Sequence, residues 1–185
     1  MFRFIHQQLM KAWSMLSHTG RVELTMIPFG KARCVSSVGD DFLCTCQHGE
    51  NECLLNQLMN CVIERIGFPK RPAKECATGP HGRRLLAMAG QSDLDSAMSS
   101  CVEKNVLLDK KWAKECATGP HGRRLLAMAG TRTALLNPPL SFVPWIMIDG
   151  ERNSDALYDL TENLCKKLNP APEECLEYLR NLRKS

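Results

Sequence analysis

The sequence lacks several features that would assign it to a broad class at once. None of its 185 residues belongs to an apolar run as long as the roughly 20 residues of a transmembrane helix, so we expect no membrane span. The segment from Met1 to Lys11 has no apolar core of the kind that a signal peptide requires. Asn-x-Ser/Thr is also missing, so the sequence offers no acceptor for N-glycosylation.

Charge of one sign is not concentrated either. The 24 Lys and Arg residues nearly balance the 20 Asp and Glu residues, and they are scattered along the chain. A nucleic-acid-binding protein needs a basic stripe or a recognisable binding module, so we expect no nucleic-acid partner. The length suits one globular domain with its own core, which we place over residues 1–185.

Cysteine, in contrast, is abundant. Ten cysteines stand at positions 34, 44, 46, 53, 61, 76, 101, 116, 165 and 175. A reducing cytosol rarely favours so many dispersed thiols, which indicates an oxidising or endolysosomal compartment. Their spacing leaves the disulfide connectivity open. No two are spaced as Cys-x-x-Cys, and we interpret the nearest approach, Cys44-Thr45-Cys46, as two structural cysteines at the end of a strand.

Apolar periodicity predicts an α/β protein. Helices are expected from Ile5 to Leu16, with a stop at Gly20, from Glu50 to Gly67 and from Asp93 to Val106. A pair of helices is expected from Lys110 to Ala129, with a stop at Gly130. Two more are expected after a cap at Asn153 or Ser154 and from Glu173 to Arg183. Strands are expected at 21–28, at 40–45 and at 142–148, where Asp149-Gly150 predicts a hairpin turn. This order predicts a mixed sheet covered by helices, with an inserted helical subdomain at about 47–135.

One segment occurs twice. Residues 73–90 and 113–130 are identical, with the sequence AKECATGPHGRRLLAMAG. Structural repeats normally drift in sequence, so identity over this length indicates a very recent duplication or an error in the gene model. The second copy has the better context, because Trp112 precedes it and a helical run follows it. The first copy is therefore the candidate insert, and we expect Cys76 to be the cysteine without a native partner.

The most specific motif is CQHGENECLLNQLMNC, from Cys46 to Cys61. It resembles the signature of the gamma-interferon-inducible lysosomal thiol reductase family. The signature residues are Cys46, Gln47, His48, Gly49, Glu50, Cys53, Asn56 and Cys61. Further blocks resemble the same family at Val22–Gly30, at Glu115–Gly122 and at Asn137–Trp145.

The resemblance implies a thioredoxin-like fold with a helical insertion. It also implies a thiol reductase that acts on disulfide-containing proteins in a lysosomal or extracellular setting, without a cofactor. The family's redox motif is Cys-x-x-Cys at the start of the first helix, where the helix dipole lowers the thiol pKa and supplies the attacking thiolate. That motif is absent here. We therefore expect a sequence that begins inside the first helix, lacks the central strand and is inactive as written.

The resemblance also assigns roles to further residues. Val143-Pro144 matches the family's cis-proline beside the active site, so Val143, Pro144 and Trp145 are the candidate groove; an ordinary trans-proline at a strand start is the alternative. The candidate structural disulfide cysteines are Cys46, Cys53, Cys61, Cys101, Cys116, Cys165 and Cys175.

Two alternatives remain for the function. The first is a non-catalytic thioredoxin-like binding protein that keeps the groove near Pro144 and has lost the redox pair. The second is a zinc site formed by Cys44, Cys46, His48 and Cys53, whose ligand types suit zinc. Their spacing matches no familiar zinc motif, so we expect no bound metal.

Overall fold

The computed structural model of the protein describes residues 2–67, 93–103 and 107–184. The first copy of the duplicated segment, with Cys76, lies outside these residues, as does the predicted end of the helix at Val106. The second copy, 113–130, is described in full.

The chain opens with a helix. α1, Phe2–Phe4, and α2, Met10–Leu16, flank a π-helical turn at Ile5–Leu9, and a 3₁₀ turn follows at Ser17–Thr19. Gly20 then adopts the left-handed conformation, with φ 67°, that commonly ends helices. The predicted opening helix and its stop are therefore confirmed.

The strand that was predicted at 21–28 is wrong. The segment is extended, but the backbone of residues 22–27 forms no hydrogen bond with any other part of the chain that the structure describes. The alternation of Val22, Leu24 and Met26 is a property of an extended chain, whereas a strand also requires a neighbouring strand. None of the strands that the structure describes lies beside this segment.

The described strands form two separate antiparallel pairs rather than one mixed sheet. β1, Arg33–Ser36, pairs with β2, Phe42–Thr45, so that Cys34 lies directly opposite Cys44. β3, Met147–Ile148, pairs with β4, Glu151–Arg152. The α/β class, the strand near residue 45 and the hairpin turn at 149–150 are confirmed, whereas β1 was not predicted.

A block of helices forms the largest core. α3, Glu50–Ile66, packs against α4, Leu94–Ala97, with its π-helical extension Met98–Val102, and against α5, Lys110–Thr118. The acidic side chains of Asp93 and Asp109 cap α4 and α5 by accepting from the N–H groups of Ser96 and Trp112. Leu58, Val62 and Val102 are fully buried in this cluster.

The next helix corrects a second prediction. α6, Pro120–Ala134, continues through Gly130 instead of stopping there. A Cβ atom on Gly130 would lie 2.8 Å from the ring of Phe29. The glycine thus allows this helix to approach the loop before β1, and it does not end the helix.

The C-terminal part packs on the opening helix. A 3₁₀ turn at Asp155–Leu157 precedes α7, Leu160–Lys167, and α8, Glu173–Leu182. Asn153 caps the 3₁₀ turn through the N–H of Ala156, while α7 has its own cap in Asp159. The prediction of Asn153 is therefore correct for the turn but not for the main helix. No helix in the described ranges is long and apolar enough to cross a membrane.

Candidate functional site

A short covalent loop joins β2 to α3. Cys46 and Cys53 form a disulfide over a sequence separation of 7 residues. Within the loop Gly49 has φ 91°, a conformation that favours glycine. The N–H of His48 donates to Oε2 of Glu52 at 2.8 Å. Because Glu52 lies in the first turn of α3, this hydrogen bond also stabilises the loop. We call residues 46–53 the signature loop.

The polar signature residues lie at the surface of this loop. Gln47, His48 and Glu50 are exposed, and the side chain of His48 remains 76% exposed. Its Nδ1 lies 3.2 Å from the same Glu52 oxygen that accepts the His48 backbone N–H. The described contacts of the imidazole are thus those of a turn residue.

Two asparagines of α3 hold the chain that precedes β1. Asn56 is 5% exposed, and its Nδ2 donates to the carbonyl of Phe29 at 3.4 Å. One turn later, Nδ2 of Asn60 donates to the carbonyl of Pro28 at 2.7 Å. The helix therefore fixes the end of the extended segment. Sequence reasoning missed Asn60, whose only signal is its place four residues after Asn56 on one helix face.

The remaining disulfides connect elements of the scaffold. Cys61 on α3 is bonded to Cys116 on α5, and Cys165 on α7 is bonded to Cys175 near the start of α8. Cys101 is buried in the helical core. The sequence-based set of structural cysteines omitted Cys34, which is bonded to Cys44 across the first hairpin. Spacing could not identify this pair, because β1 itself was not predicted.

A cleft of about 790 Å³ separates the extended segment, residues 21–28, from residues 143–148. The opening helix also lines it, through Leu9, Ala12 and Trp13. Most of the lining is apolar. The peptide bond between Val143 and Pro144 on the opposite wall is cis.

Trp145 occupies the centre of an aromatic and cationic group beside Pro144. The guanidinium of Arg152 lies 4.2 Å from the centre of the Trp145 ring, and Phe142 meets the same ring edge-on at 5.4 Å. Arg152 also donates to the carbonyl of Ile146, which ties this wall of the cleft to β4. Nε1 of Trp145 is buried and has no hydrogen-bond partner within the described residues. The three predicted groove residues thus lie together on one wall.

The signature loop and the cleft are linked through the chain between them. Asn56 and Asn60 hold Pro28 and Phe29, and these two residues form the end of one cleft wall. Asn56 itself also lines the cleft. The arrangement brings the signature helix and the cis-proline wall to one cavity, while His48 faces solvent outside it.

The structure gives no support to a zinc site at the signature loop. The sulfurs of Cys44, Cys46 and Cys53 are all in disulfides, and a disulfide sulfur is not the thiolate that zinc requires. Within the residues described, no group of three or more His, Cys, Asp and Glu side chains is arranged to hold a metal ion.

Comparison with known proteins agrees with this description. The family model for gamma interferon inducible lysosomal thiol reductase (GILT) matches residues 1–119. A GILT-like protein of Caenorhabditis elegans is 51% identical over 211 residues, covering 98% of this chain and 53% of the relative. A GILT-like protein of Caenorhabditis briggsae is 35% identical, covering 88% and 71%. The chain thus spans about half the length of the first of these relatives.

A more distant relative extends the comparison beyond nematodes. The gamma-interferon-inducible lysosomal thiol reductase of Carassius auratus is 30% identical over 175 residues, which is 91% of this chain and 64% of the relative. The family match covers the signature loop, both asparagines of α3 and the disulfide from Cys61 to Cys116. On these grounds the chain belongs to the gamma interferon inducible lysosomal thiol reductase family.

Proposed function

We propose that the chain carries the polypeptide-binding part of a thiol–disulfide oxidoreductase that reduces protein disulfides in a lysosomal or extracellular setting. On this proposal it forms one thioredoxin-like domain with a helical insertion at about 47–135, and the 185 residues alone do not catalyse reduction. The observation that supports it best is the apolar cleft beside Pro144, because its two walls contain the blocks at Val22–Gly30 and Asn137–Trp145 that resemble the family.

The cysteines support the inactive state of this chain. Reduction of a client disulfide requires an accessible thiolate and a second thiol that resolves the mixed disulfide. Eight of the described cysteines are in four disulfides, and Cys101 is 1% exposed. The sequence also contains no Cys-x-x-Cys. No exposed thiolate is therefore available on the part of the chain that the structure describes.

The cleft supports the binding of an extended polypeptide. The backbone of residues 22–27 has no hydrogen bonds to other described residues, and β3 pairs with β4 along one edge only. An extended segment placed between these walls can form main-chain hydrogen bonds while apolar side chains such as Leu24 and Trp145 contact its own side chains. This mode depends little on the sequence of the client, as reduction of many proteins requires.

Binding is tested with a reduced and carboxymethylated polypeptide, such as insulin B chain carrying a fluorophore, titrated with the 185-residue protein. We expect saturable binding that Leu24→Asp and Trp145→Ala each weaken by about tenfold or more, since an aromatic anchor in a binding site contributes about 2 kcal/mol. Val38→Asp and Tyr158→Ala are the matched controls, because Val38 is 94% and Tyr158 82% exposed, and neither lines the cleft.

The result that would overturn the proposal is the absence of binding, or binding that the control variants weaken as much as the cleft variants do. The same cleft also serves the alternative of a non-catalytic binding protein. The two functions are distinguished by activity: a reductase turns over a disulfide substrate, whereas a non-catalytic binding protein does not.

A further inference from the structure

Two of the four disulfides have the same span but very different surroundings. Cys34–Cys44 and Cys165–Cys175 each close a loop with a sequence separation of 10 residues. Loop length therefore gives them a similar entropic contribution to stability. Cys165 and Cys175 are 2% and 0% exposed, whereas Cys34 and Cys44 are both partly exposed. Of these two pairs, a thiol that enters from solvent can therefore reach Cys34–Cys44, but not Cys165–Cys175, without unfolding the chain.

Cys34 lines a second cavity. It has a volume of about 710 Å³ and lies between the β1–β2 hairpin, α6 and the loop at Pro139. Cys34 lines it, while Cys44 does not; the sulfur of Cys44 lies 3.9 Å from the carbonyl of Arg123 on α6. Because Cys34 lines the cavity and Cys44 does not, we expect a thiolate that enters it to attack Cys34, with Cys44 as the leaving sulfur.

The charge of this cavity favours an anion. Lys31 and Arg33 line it on either side of the buried Ala32, and none of the described residues that line it is acidic. A thiolate is negative, and a peptide thiol with carboxylates is more negative still. Two cationic side chains at the rim raise the local concentration of such a reagent.

We propose that Cys34–Cys44 is a thiol-exchange site that accepts electrons from small anionic thiols through this cavity. The thiolate attacks Sγ of Cys34, the Cys34–Cys44 bond breaks, and Cys44 leaves as a thiolate that takes up a proton. The product is a mixed disulfide between the thiol and Cys34. A second thiol molecule attacks the outer sulfur of that mixed disulfide, releases Cys34 as a thiol and leaves as the oxidised disulfide of the reagent.

This site is an electron acceptor. Its cavity shares Phe29, Gly30, Thr133 and Leu140 with the polypeptide cleft, but neither Cys34 nor Cys44 lines the cleft. Cys34 and Cys44 lie on paired strands and not in the first turn of a helix, the position in which the helix dipole acidifies a thiol. The reduced pair is thus a poor catalyst, although its oxidised form remains an open target. The proposal therefore does not depend on the binding function given above, and each can fail without the other.

The test is the rate at which each disulfide of the folded protein opens in reduced glutathione, a tripeptide with net negative charge at neutral pH. Acid quenching, alkylation and peptide mass spectrometry follow each pair separately. We expect Cys34–Cys44 to open at least about tenfold faster than Cys165–Cys175. Equal rates, or a faster Cys165–Cys175, would overturn the proposal.

Two variants test whether the thiol enters through the cavity and whether the cationic side chains of Lys31 and Arg33 attract it. Ser141→Trp narrows the cavity and should slow the opening of Cys34–Cys44, whereas Ser141→Ala should not. The double variant K31E/R33E should slow the reaction with glutathione several-fold more than the reaction with dithiothreitol, because the reacting thiolate of dithiothreitol carries one negative charge and that of glutathione a net charge of about −2. Unaltered glutathione rates in both Ser141→Trp and K31E/R33E would show that the cavity is not the path. Circular dichroism checks that each variant is folded.

Discussion

Arg123 holds Asp41 through two hydrogen bonds at once: Nε lies 2.9 Å from Oδ1, and Nη2 lies 2.6 Å from Oδ2. The residues come from α6 and from the turn of the β1–β2 hairpin. The same guanidinium donates to the carbonyl of Thr118 at the end of α5. Arg123 therefore joins the hairpin to two helices, and it belongs to the duplicated sequence in its second copy. The Arg123 hydrogen bonds, aided by the N–H of Phe42, lower the pKa of Asp41 to about 2.

This ion pair predicts a specific dependence of stability on pH. The ordinary Asp pKa is 3.8, so the unfolded chain takes up the proton before the folded one does as the pH falls. The stabilising contribution of Asp41 is complete above about pH 5 and is lost progressively as the pH decreases towards 2. It is thus intact at the mildly acidic pH of a lysosome.

Urea unfolding of the wild type and of Asp41→Asn measures this contribution. We expect the wild type to be more stable at pH 5, and the difference between the two proteins to shrink between pH 4 and pH 2. All other titrating groups are common to both proteins and cancel in the difference. A difference that stays constant over this range would show that the pair does not depress the pKa of Asp41.

The contact between Gly130 and Phe29 predicts the effect of adding a methyl group. In Gly130→Ala the Cβ atom would approach the Phe29 ring to 2.8 Å, which requires the helix or the ring to move. Such overpacking costs about 1–3 kcal/mol, which exceeds the roughly 1 kcal/mol that alanine gains in a helix. We expect a lower free energy of unfolding, measured with urea.

The matched control for Gly130 is the same change in a background without the ring. Phe29→Ala removes the neighbour, so G130A should cost less in that background than in the wild type, and the two changes should be non-additive. Equal costs in both backgrounds would place the clash elsewhere. Thr131→Ala, at an exposed position of the same helix, should change the stability by less than about 0.5 kcal/mol.

Asn60 provides a third prediction, on the wall of the cleft. Asn60→Ala leaves the carbonyl of Pro28 without its 2.7 Å donor. We expect a loss of about 1–2 kcal/mol in the free energy of unfolding, together with faster hydrogen exchange at residues 22–27. The control is Asn181→Ala on the exposed face of α8, where no side-chain hydrogen bond is lost to the described residues. A similar effect of both changes would argue against a holding role for Asn60.

Locally determined features could be predicted from the sequence. Helix α3 is specified by an acidic first turn, a buried periodic face and a glycine after Ile66, and all three can be recognised in its own short stretch of sequence. The hairpin at Asp149-Gly150 is equally local, because both residues adopt the positive φ that this turn requires. The signature loop also lies within one short run, from which the family could be recognised.

Features that depend on distant partners could not be predicted. The alternation in residues 21–28 is real, yet the segment is not a strand because none of the described strands pairs with it. Gly130 resembles a helix stop, but its role is set by Phe29, about a hundred residues earlier. Likewise, the pairing of Cys34 with Cys44 follows from the register of a hairpin whose first strand has no strong pattern. In each case the missing information is the identity of a spatial neighbour.

The central claim is that the chain binds unfolded polypeptide but has no thiol pair that turns over. The most direct test is reduction of insulin by dithiothreitol in the presence of the 185-residue protein, with the C34S/C44S variant alongside. The account predicts the uncatalysed rate for both proteins. Clear acceleration by the wild type would contradict it, and loss of that acceleration in the variant would locate the active sulfurs at Cys34 and Cys44.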